Sequence, residues 1–191
     1  MTPFRVIDTT TRWRAGFLVL DEAHVAGPGG EHLVRSVVRH PGAVVVVPVE
    51  ADGRHVLLVR QFRAAVNGDL LEVVAGKRDV HNEPPEETAR RELEEEVGRS
   101  TDRLVKLCEF YNSPGFSDEY TYLYCALDLE EAEEKHPMTA EEREMSVERV
   151  SLDDLDELIA TGELVDAKSI VGLLLTRRYL AGEYPGSHLR R

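Results

Sequence analysis

Three glutamates, Glu92, Glu95 and Glu96, stand at positions i, i+3 and i+4 of a segment that is predicted to be helical from about residue 84 to residue 97. At this spacing side chains share one helix face, where like charges destabilise the helix by about 0.2–0.5 kcal/mol per pair. A hard divalent cation such as Mg²⁺ prefers carboxylate oxygens and would offset that repulsion. The pattern indicates a metal-binding face, and the plainer alternative is a solvated acidic surface.

The residues around these glutamates form a longer pattern with fixed spacing. Gly76 is followed by six residues, Glu83, seven residues and then the run Arg91-Glu92-Leu93-Glu94-Glu95-Glu96-Val97-Gly98. This pattern resembles the Nudix box of the Nudix hydrolases, G-x5-E-x7-R-E-U-x-E-E-x-G-U, in which U is apolar. Two positions depart from it. The gap between Gly76 and Glu83 is one residue longer, which implies an enlarged loop before the helix, and Arg99 stands where an apolar residue is usual.

Segments on both sides of the box are similar to the ADP-ribose pyrophosphatase branch of this family. They are residues 60–63 (RQFR), 72–76 (EVVAG), 113–119 (SPGFSDE, with Pro114) and 166–169 (DAKS). The resemblance implies that the protein hydrolyses ADP-ribose to AMP and ribose 5-phosphate. It also implies two or more bound Mg²⁺ ions, or Mn²⁺ in their place.

The resemblance also implies metal-binding and catalytic residues. The expected metal ligands are Glu92, Glu96 and the backbone carbonyl of Ala75, with Glu95 as a further ligand or a catalytic helper. In the acidic loop ahead of the last predicted strand, Glu142 and then Glu141 are the candidates for the group that orients or deprotonates the attacking water. A solvated loop glutamate is the alternative for both.

Two further sets of residues are implied in the same way. The expected substrate-binding residues, which face phosphate or ribose, are Arg63, Arg35, Glu72, Phe116, Ser117, Asp118 and Glu119. For Phe116, packing in the core is the alternative. The residues expected to hold the box in shape are Gly76, Glu83, Arg91 and Gly98, with Arg91 pairing with Glu83 or with a box glutamate.

The charge of the chain is negative overall but unevenly placed. Its 191 residues contain 23 basic and 36 acidic side chains, a formal charge of −13. Residues 83–96 and 130–144 each hold seven acidic and two basic residues, a net of −5 per segment. This balance argues against binding of duplex nucleic acid or an anionic membrane. Bound cations would locally reverse the sign of the first segment.

Two cysteines, Cys108 and Cys125, are too few for a disulfide framework or a zinc cluster. The first residues contain no apolar signal region, and the longest apolar run, residues 43–47, is far too short to span a membrane. We therefore expect a cytoplasmic protein with reduced thiols.

The predicted elements indicate an α/β (α+β) fold, a Nudix-type α/β/α sandwich with a mixed sheet. Strands are predicted at residues 16–20, 33–38, 43–49, 55–62, 70–75, 104–111, 120–127 and 146–151, helices at 84–97, 151–160 and 167–180, and a polar loop at 130–144. Residues 1–42 are expected to be a small β-rich appendage to a Nudix domain at 43–191. Because so short a segment builds little core of its own, we expect it to pack on a second subunit in a homodimer.

Other functions are compatible with the same box. One is hydrolysis of another nucleoside diphosphate sugar or of a dinucleotide, because the box indicates pyrophosphate chemistry and not the sugar. Removal of oxidised nucleoside triphosphates would leave the appendage and the 113–119 segment without a role. A non-catalytic Nudix-like protein that binds nucleotides for regulation is a different class, and the intact box glutamates argue against it.

Overall fold

The computed structural model of the chain describes residues 3–132 and 143–185. Its residues group into two compact units. Unit 1 contains residues 1–43 and 110–121, and unit 2 contains residues 44–109 and 122–191. The sequence-based division at residue 42 did not anticipate the second segment of unit 1.

Unit 1 is built on an antiparallel sheet of three strands in the order β1-β2-β3. These strands are β1 (Arg5–Ala15), β2 (Leu18–Ala26) and β3 (His32–Arg39). The sequence predicted parts of β2 and β3 but no strand at β1, because residues 5–15 show no alternation of polar and apolar side chains. Almost every β1 residue is exposed, so pairing with β2, rather than burial of one face, fixes this strand.

The second segment of unit 1 is joined to the end of β3 by backbone hydrogen bonds. The Val38 amide donates to the Phe116 carbonyl at 2.8 Å, and the Asp118 amide donates to the Val38 carbonyl at 3.2 Å. The Asp118 carboxylate accepts from the His40 amide at 2.9 Å and from Arg39 Nη1 at 3.1 Å. Asp118 and Phe116 therefore lie in a loop with a defined shape.

The strands of unit 2 and their neighbours form three further sheets. Their order is β7-β4-β10-β9 in the largest, β12-β5-β6 in the second and β11-β8 in the third. The strands are β4 (Ala43–Pro48), β5 (His55–Arg63), β6 (Gly68–Glu72), β7 (Val74–Lys77), β8 (Arg99–Ser100), β9 (Arg103–Tyr111), β10 (Tyr120–Leu127), β11 (Glu130–Glu131) and β12 (Ser146–Ser151). Every residue of β4 is buried, as its continuous β-branched run predicts.

Two of the predicted elements are corrected by the structure. Residues 70–75 were expected to form one strand, but β6 ends at Glu72 and β7 begins at Val74, and the two strands belong to different sheets. Residues 71–74 are all buried, so the pattern of side chains does not change where one strand ends and the next begins. Residues 130–144 were expected to be a loop, but Glu130 and Glu131 pair with β8.

The helices begin and end where local sequence signals place them. Helix α1 (Pro85–Val97) has proline in its first turn and ends at Gly98, whose φ of 63° is the left-handed conformation that favours glycine. The predicted helix after Ser151 starts as a 3₁₀ turn (Leu152–Asp154) and continues as α2 (Leu155–Thr161). Helix α3 (Ala167–Leu180) has the predicted bounds and is capped by Asp166.

The core of unit 2 lies between α1 and the strands beneath it. The buried apolar residues shared by this cluster are Val44, Val46, Leu57, Val59, Val74, Ala89, Leu93, Val97, Tyr124, Ala126 and Met145. Because the apolar stripe of α1 faces this core, its glutamates are carried on the flanks of the same helix. The α+β class with a mixed sheet is confirmed. Among the described residues, no helix has the length and apolar character needed to cross a membrane.

Candidate metal and substrate site

Gly76 leaves the space that the Glu92 side chain occupies. Gly76 lies in β7, and Glu92 extends from α1 over that strand. A Cβ atom built on Gly76 would lie 2.0 Å from Cδ and 2.1 Å from Oε1 of Glu92, well inside van der Waals contact. Any other residue at position 76 must therefore displace the carboxylate. The pairing of this glycine with a glutamate sixteen residues later has a steric cause.

Glu96, one turn after Glu92, is 7% exposed. Among the described residues its carboxylate accepts one hydrogen bond, from the Ala75 amide at 3.2 Å. Burial raises the pKa of Glu96 to about 8, and the neighbouring Glu92 carboxylate adds to the rise. Burial also raises the pKa of Glu92 to about 7, although Arg91 acts in the opposite direction. Additional positive charge nearby would therefore favour the ionised form of both carboxylates at neutral pH.

Arg91 is shared among three carboxylates of the box. Its Nη1 donates to Glu92 Oε1 at 2.8 Å and to Glu95 Oε2 at 3.1 Å, and its Nη2 lies 3.5 Å from Glu83 Oε2. The Thr88 hydroxyl also donates to Glu83 Oε2, at 2.7 Å. One guanidinium therefore braces the loop residue Glu83 against α1, and it compensates only one of the three negative charges that it contacts.

A second ion-pair network lies where β6 ends. Glu72 is 1% exposed and accepts a bidentate pair from Arg63, with Nε at 2.7 Å and Nη2 at 2.8 Å. The Lys168 ammonium lies 3.4 Å from Glu72 Oε2 and 2.6 Å from Asp166 Oδ1. The Arg63 guanidinium, predicted to bind phosphate, is thus oriented by a buried carboxylate, and its side chain remains 41% exposed.

The chemistry of these donors fits a hard divalent cation. Glu92 and Glu96 offer carboxylate oxygens with incomplete compensation, and Glu95 offers a third at the rim. The Ala75 amide already binds Glu96, so the carbonyl of the same residue lies on the strand beside these glutamates. Oxygen-only donors of this kind are the ligands that Mg²⁺ and Mn²⁺ take.

Another acidic group of unit 2 has a different electrostatic setting. Ligand atoms of Glu50, Asp52 and His55 lie within 4.8 Å of one another. Arg149 already contacts this group, with Nε 2.5 Å from Glu50 Oε2 and Nη2 2.9 Å from Asp52 Oδ2. The Arg54 amide, followed by the His55 ring and amide, holds the pKa of Asp52 well below its usual range. Because Arg149 and backbone amides already pair with these carboxylate oxygens, we assign no metal ion to this group.

Comparison with known proteins decides the family. A family model described as the NUDIX domain matches residues 38–173. The chain belongs to the Nudix family. The resemblance noted at the Nudix box is thus confirmed, and the glutamates described above belong to a Nudix domain.

Two curated relatives are both named ADP-ribose pyrophosphatase. The Nudix chain is 40% identical to the ADP-ribose pyrophosphatase of Bacillus subtilis (strain 168) over 142 residues, which are 74% of this chain and 75% of that protein. It is 34% identical to the ADP-ribose pyrophosphatase of Mycobacterium tuberculosis (strain ATCC 25618 / H37Rv) over 181 residues, 94% of this chain and 86% of that protein.

A solved structure shares the fold. The Nudix chain superposes on the crystal structure of an ADP compounds hydrolase with a TM-score of 0.80, over 96% of this chain and 97% of that one. Sequence identity between the two is 23%, so this likeness shows the fold alone.

The predicted site residues that the structure describes fall into two groups. Those of the Nudix box, together with Ala75, Arg63 and Glu72, all lie in unit 2. The others with described positions lie in unit 1, and they are Arg35, Phe116, Ser117, Asp118 and Glu119. Glu141 and Glu142 lie outside the described residues, so their predicted roles stay predictions.

Within unit 1 the predicted substrate residues have local partners of their own. Arg35 Nη1 donates to the Val34 carbonyl at 2.8 Å. Ser117 pairs with Val38 as an isolated parallel bridge, and its hydroxyl accepts from the Glu119 amide at 3.2 Å. Phe116 is 59% exposed, so it is not a core residue of this unit.

Three residues in or next to the ion-pair network of Glu72 were not among the predicted site residues: Asp166, Lys168 and Ser169. The sequence showed only that residues 166–169 are similar to the family branch. A stronger signal was available, because an aspartate directly before the first helical residue is a preferred N-cap, whose carboxylate accepts from the amide of the third helical residue, here Ser169. That pattern predicts the cap, whereas the contact with Glu72 comes from the tertiary fold.

Proposed function

We propose that the protein is a Mg²⁺-dependent Nudix pyrophosphohydrolase that cleaves ADP-ribose to AMP and ribose 5-phosphate. The observation that carries this proposal is the buried pair Glu92 and Glu96, in which Glu92 lies against Gly76 and the negative charge is only partly compensated by Arg91. The two curated relatives named ADP-ribose pyrophosphatase support the choice of substrate.

The proposed metal ligands are Glu92, Glu96 and the Ala75 carbonyl, with Glu95 beside them. Bound Mg²⁺ would neutralise the pyrophosphate oxygens and lower the pKa of a coordinated water. Arg91 holds Glu92 and Glu95 in position. Arg63, oriented by Glu72, binds the substrate phosphate. We propose two or more metal ions per site, because the substrate is itself a dianion.

Glu142, or Glu141 next to it, is proposed to orient or deprotonate the attacking water. A general base must lie within hydrogen-bond reach of the proton that it takes. We expect Glu142→Gln to lower kcat strongly and KM for ADP-ribose much less, measured by steady-state kinetics. Glu141→Gln is the matched variant at the neighbouring position, and an unchanged kcat for Glu142→Gln would remove that residue from the mechanism.

We also propose that the protein is a cytoplasmic homodimer in which residues 1–42 contact the partner subunit. Large apolar side chains of this segment are exposed, and they are Phe4, Val6, Ile7, Trp13, Phe17 and Val34, with exposed fractions of 44–59%. Exposed apolar groups of this kind are typical of interfaces. Light scattering at micromolar protein should give the mass of a dimer, and a monomeric mass contradicts this proposal.

The function is tested with purified protein, Mg²⁺ and a panel of ADP-ribose, other nucleoside diphosphate sugars, dinucleotides and an oxidised nucleoside triphosphate. Products are separated by chromatography. We expect the highest kcat/KM for ADP-ribose, with AMP and ribose 5-phosphate in equal amounts. A higher kcat/KM for another sugar nucleotide would make that compound, and not ADP-ribose, the proposed substrate. Binding of ADP-ribose without turnover at any Mg²⁺ or Mn²⁺ concentration would support the regulatory alternative instead.

A further inference from the structure

The backbone joint between β6 and β7 is held from outside the Nudix box. Val73 is the one residue between these two strands, and it is fully buried. Its amide donates to the Ser169 hydroxyl at 2.9 Å. Ser169 lies in the first turn of α3 and is 0% exposed. A side chain of α3, distant in sequence, therefore supplies the hydrogen-bond acceptor for the backbone amide of the joint.

Asp166 orients this hydroxyl. Asp166 Oδ2 accepts from the Ser169 hydroxyl at 2.6 Å and from the Ser169 amide at 2.9 Å. A serine hydroxyl has one hydrogen to donate, and a carboxylate only accepts. The hydrogen therefore points to Asp166, which leaves an oxygen lone pair directed at the Val73 N–H. The donor and the acceptor are therefore defined in both hydrogen bonds: Val73 N–H donates to Ser169 Oγ, and the Ser169 hydroxyl donates to Asp166.

The joint stands between the two parts of the proposed site. On one side of Val73, Glu72 pairs with Arg63 and Lys168. Two residues further along is Ala75, whose amide binds Glu96. Because β6 and β7 belong to different sheets, neither sheet alone fixes the direction of the chain at this point.

We propose that Ser169, oriented by Asp166, is a positioning residue of the metal site. It fixes the peptide at Val73 so that the Ala75 carbonyl and the Glu96 carboxylate face the same cation, while Glu72 continues to face Arg63. The assignment rests on the proposed function, because it presumes a cation at Glu92 and Glu96. Ser169 itself touches neither the metal ion nor the substrate.

Loss of the hydroxyl has a specific consequence. In Ser169→Ala the buried Val73 N–H has no acceptor, and the joint shifts to find one. Removal of a group that orients a metal ligand costs about 10–100-fold in metal affinity or activity. We therefore expect Ser169→Ala to weaken Mn²⁺ binding about tenfold and to lower kcat by a similar factor, with KM for ADP-ribose within about twofold of wild type.

Thr176→Val is the matched control. Thr176 lies on the same helix, is equally buried, and loses its hydroxyl with little change in shape. We expect wild-type Mn²⁺ affinity and wild-type kcat for this variant. Mn²⁺ binding is measured by electron paramagnetic resonance without substrate, and turnover is measured as a function of Mg²⁺ concentration.

The outcomes separate the two proposals. If the wild type binds Mn²⁺ but hydrolyses no substrate, the function fails while the Mn²⁺ measurement still tests Ser169. If Ser169→Ala melts at a lower temperature but retains Mn²⁺ affinity and kcat, Ser169 has only a structural role and the inference is overturned. If Ser169→Ala does not fold, Asp166→Asn decides. It keeps the shape of the cap but weakens the orientation of the hydroxyl, and unchanged Mn²⁺ affinity there overturns the inference.

Discussion

Two acidic groups of unit 2 differ in what compensates their charge. Glu50, Asp52 and His55 lie close together, and Arg149 pairs with both carboxylates. The Arg54 amide, followed by the His55 ring and amide, holds the pKa of Asp52 low. Glu92 and Glu96 are buried, and burial raises both their pKa values. If closeness of carboxylates were the only criterion, the first group would be the better candidate for a metal site. Incompletely compensated burial distinguishes the second, because a buried negative charge is costly until enough positive charge lies beside it.

The largest expected effect separates the two groups directly. We expect Glu92→Gln and Glu96→Gln each to lower kcat for ADP-ribose by about 100-fold or more, because each change removes a charged oxygen from the proposed metal site. Asp52→Asn, in the compensated group, should retain wild-type kcat. Steady-state rates of purified, folded variants check this. A near wild-type rate for Glu96→Gln would remove the metal-ligand assignment.

The next effect acts through shape and leaves every charge in place. We expect Gly76→Ala to reduce Mn²⁺ affinity and kcat by about tenfold, because the added Cβ displaces the Glu92 carboxylate. Gly68→Ala is the control, since its Cβ would meet only the Val66 carbonyl, at 3.9 Å. Mn²⁺ titration of both variants measures the difference, and equal affinities would contradict the steric explanation.

A smaller effect concerns stability without metal. At pH 9 in chelator, we expect Glu96→Gln to stabilise the protein by about 1 kcal/mol, because it removes a buried charge whose one hydrogen-bond donor among the described residues is the Ala75 amide. Added Mg²⁺ should raise the melting temperature of the wild type but not of this variant. Scanning calorimetry gives both values. A destabilised variant would show that Glu96 is compensated by the protein itself.

The smallest effect belongs to the compensated group. Because its native pKa lies below the unfolded value, Asp52 contributes stability at neutral pH that is lost as the pH falls through its native pKa. Asp52→Asn should therefore flatten the acid side of the stability curve below about pH 5, where the unfolded chain begins to take up the proton that native Asp52 does not. Urea unfolding across this range measures the change. A parallel shift of the whole curve would mean that packing, and not charge, is responsible.

The sequence predicted the parts of this molecule whose causes are local. The bounds of α1 follow from proline at its start and glycine at its end, and β4 follows from its β-branched run. The spacing of Gly76 and Glu92 was recognised as a motif, but its steric reason needed the structure.

The remaining features depend on contacts that are distant in sequence. β1 has no period-two pattern, because its pairing with β2 holds it while both faces stay exposed. The Ser169 hydroxyl meets the Val73 amide across 96 residues, and no spacing in the chain indicates that contact. Arg149 reaches Glu50 from 99 residues away, so the compensation of that group was equally hidden.

The one-residue joint at Val73 also limits how the chain can vary in length. An inserted residue there would rotate β7 by one side-chain position and turn Ala75 and Gly76 to the wrong face. The loop at residues 78–84 on the other side of β7 is mostly exposed, and it holds the residue by which this box exceeds the usual spacing. Insertions tolerated by this domain should therefore accumulate between β7 and α1 and be absent between β6 and β7.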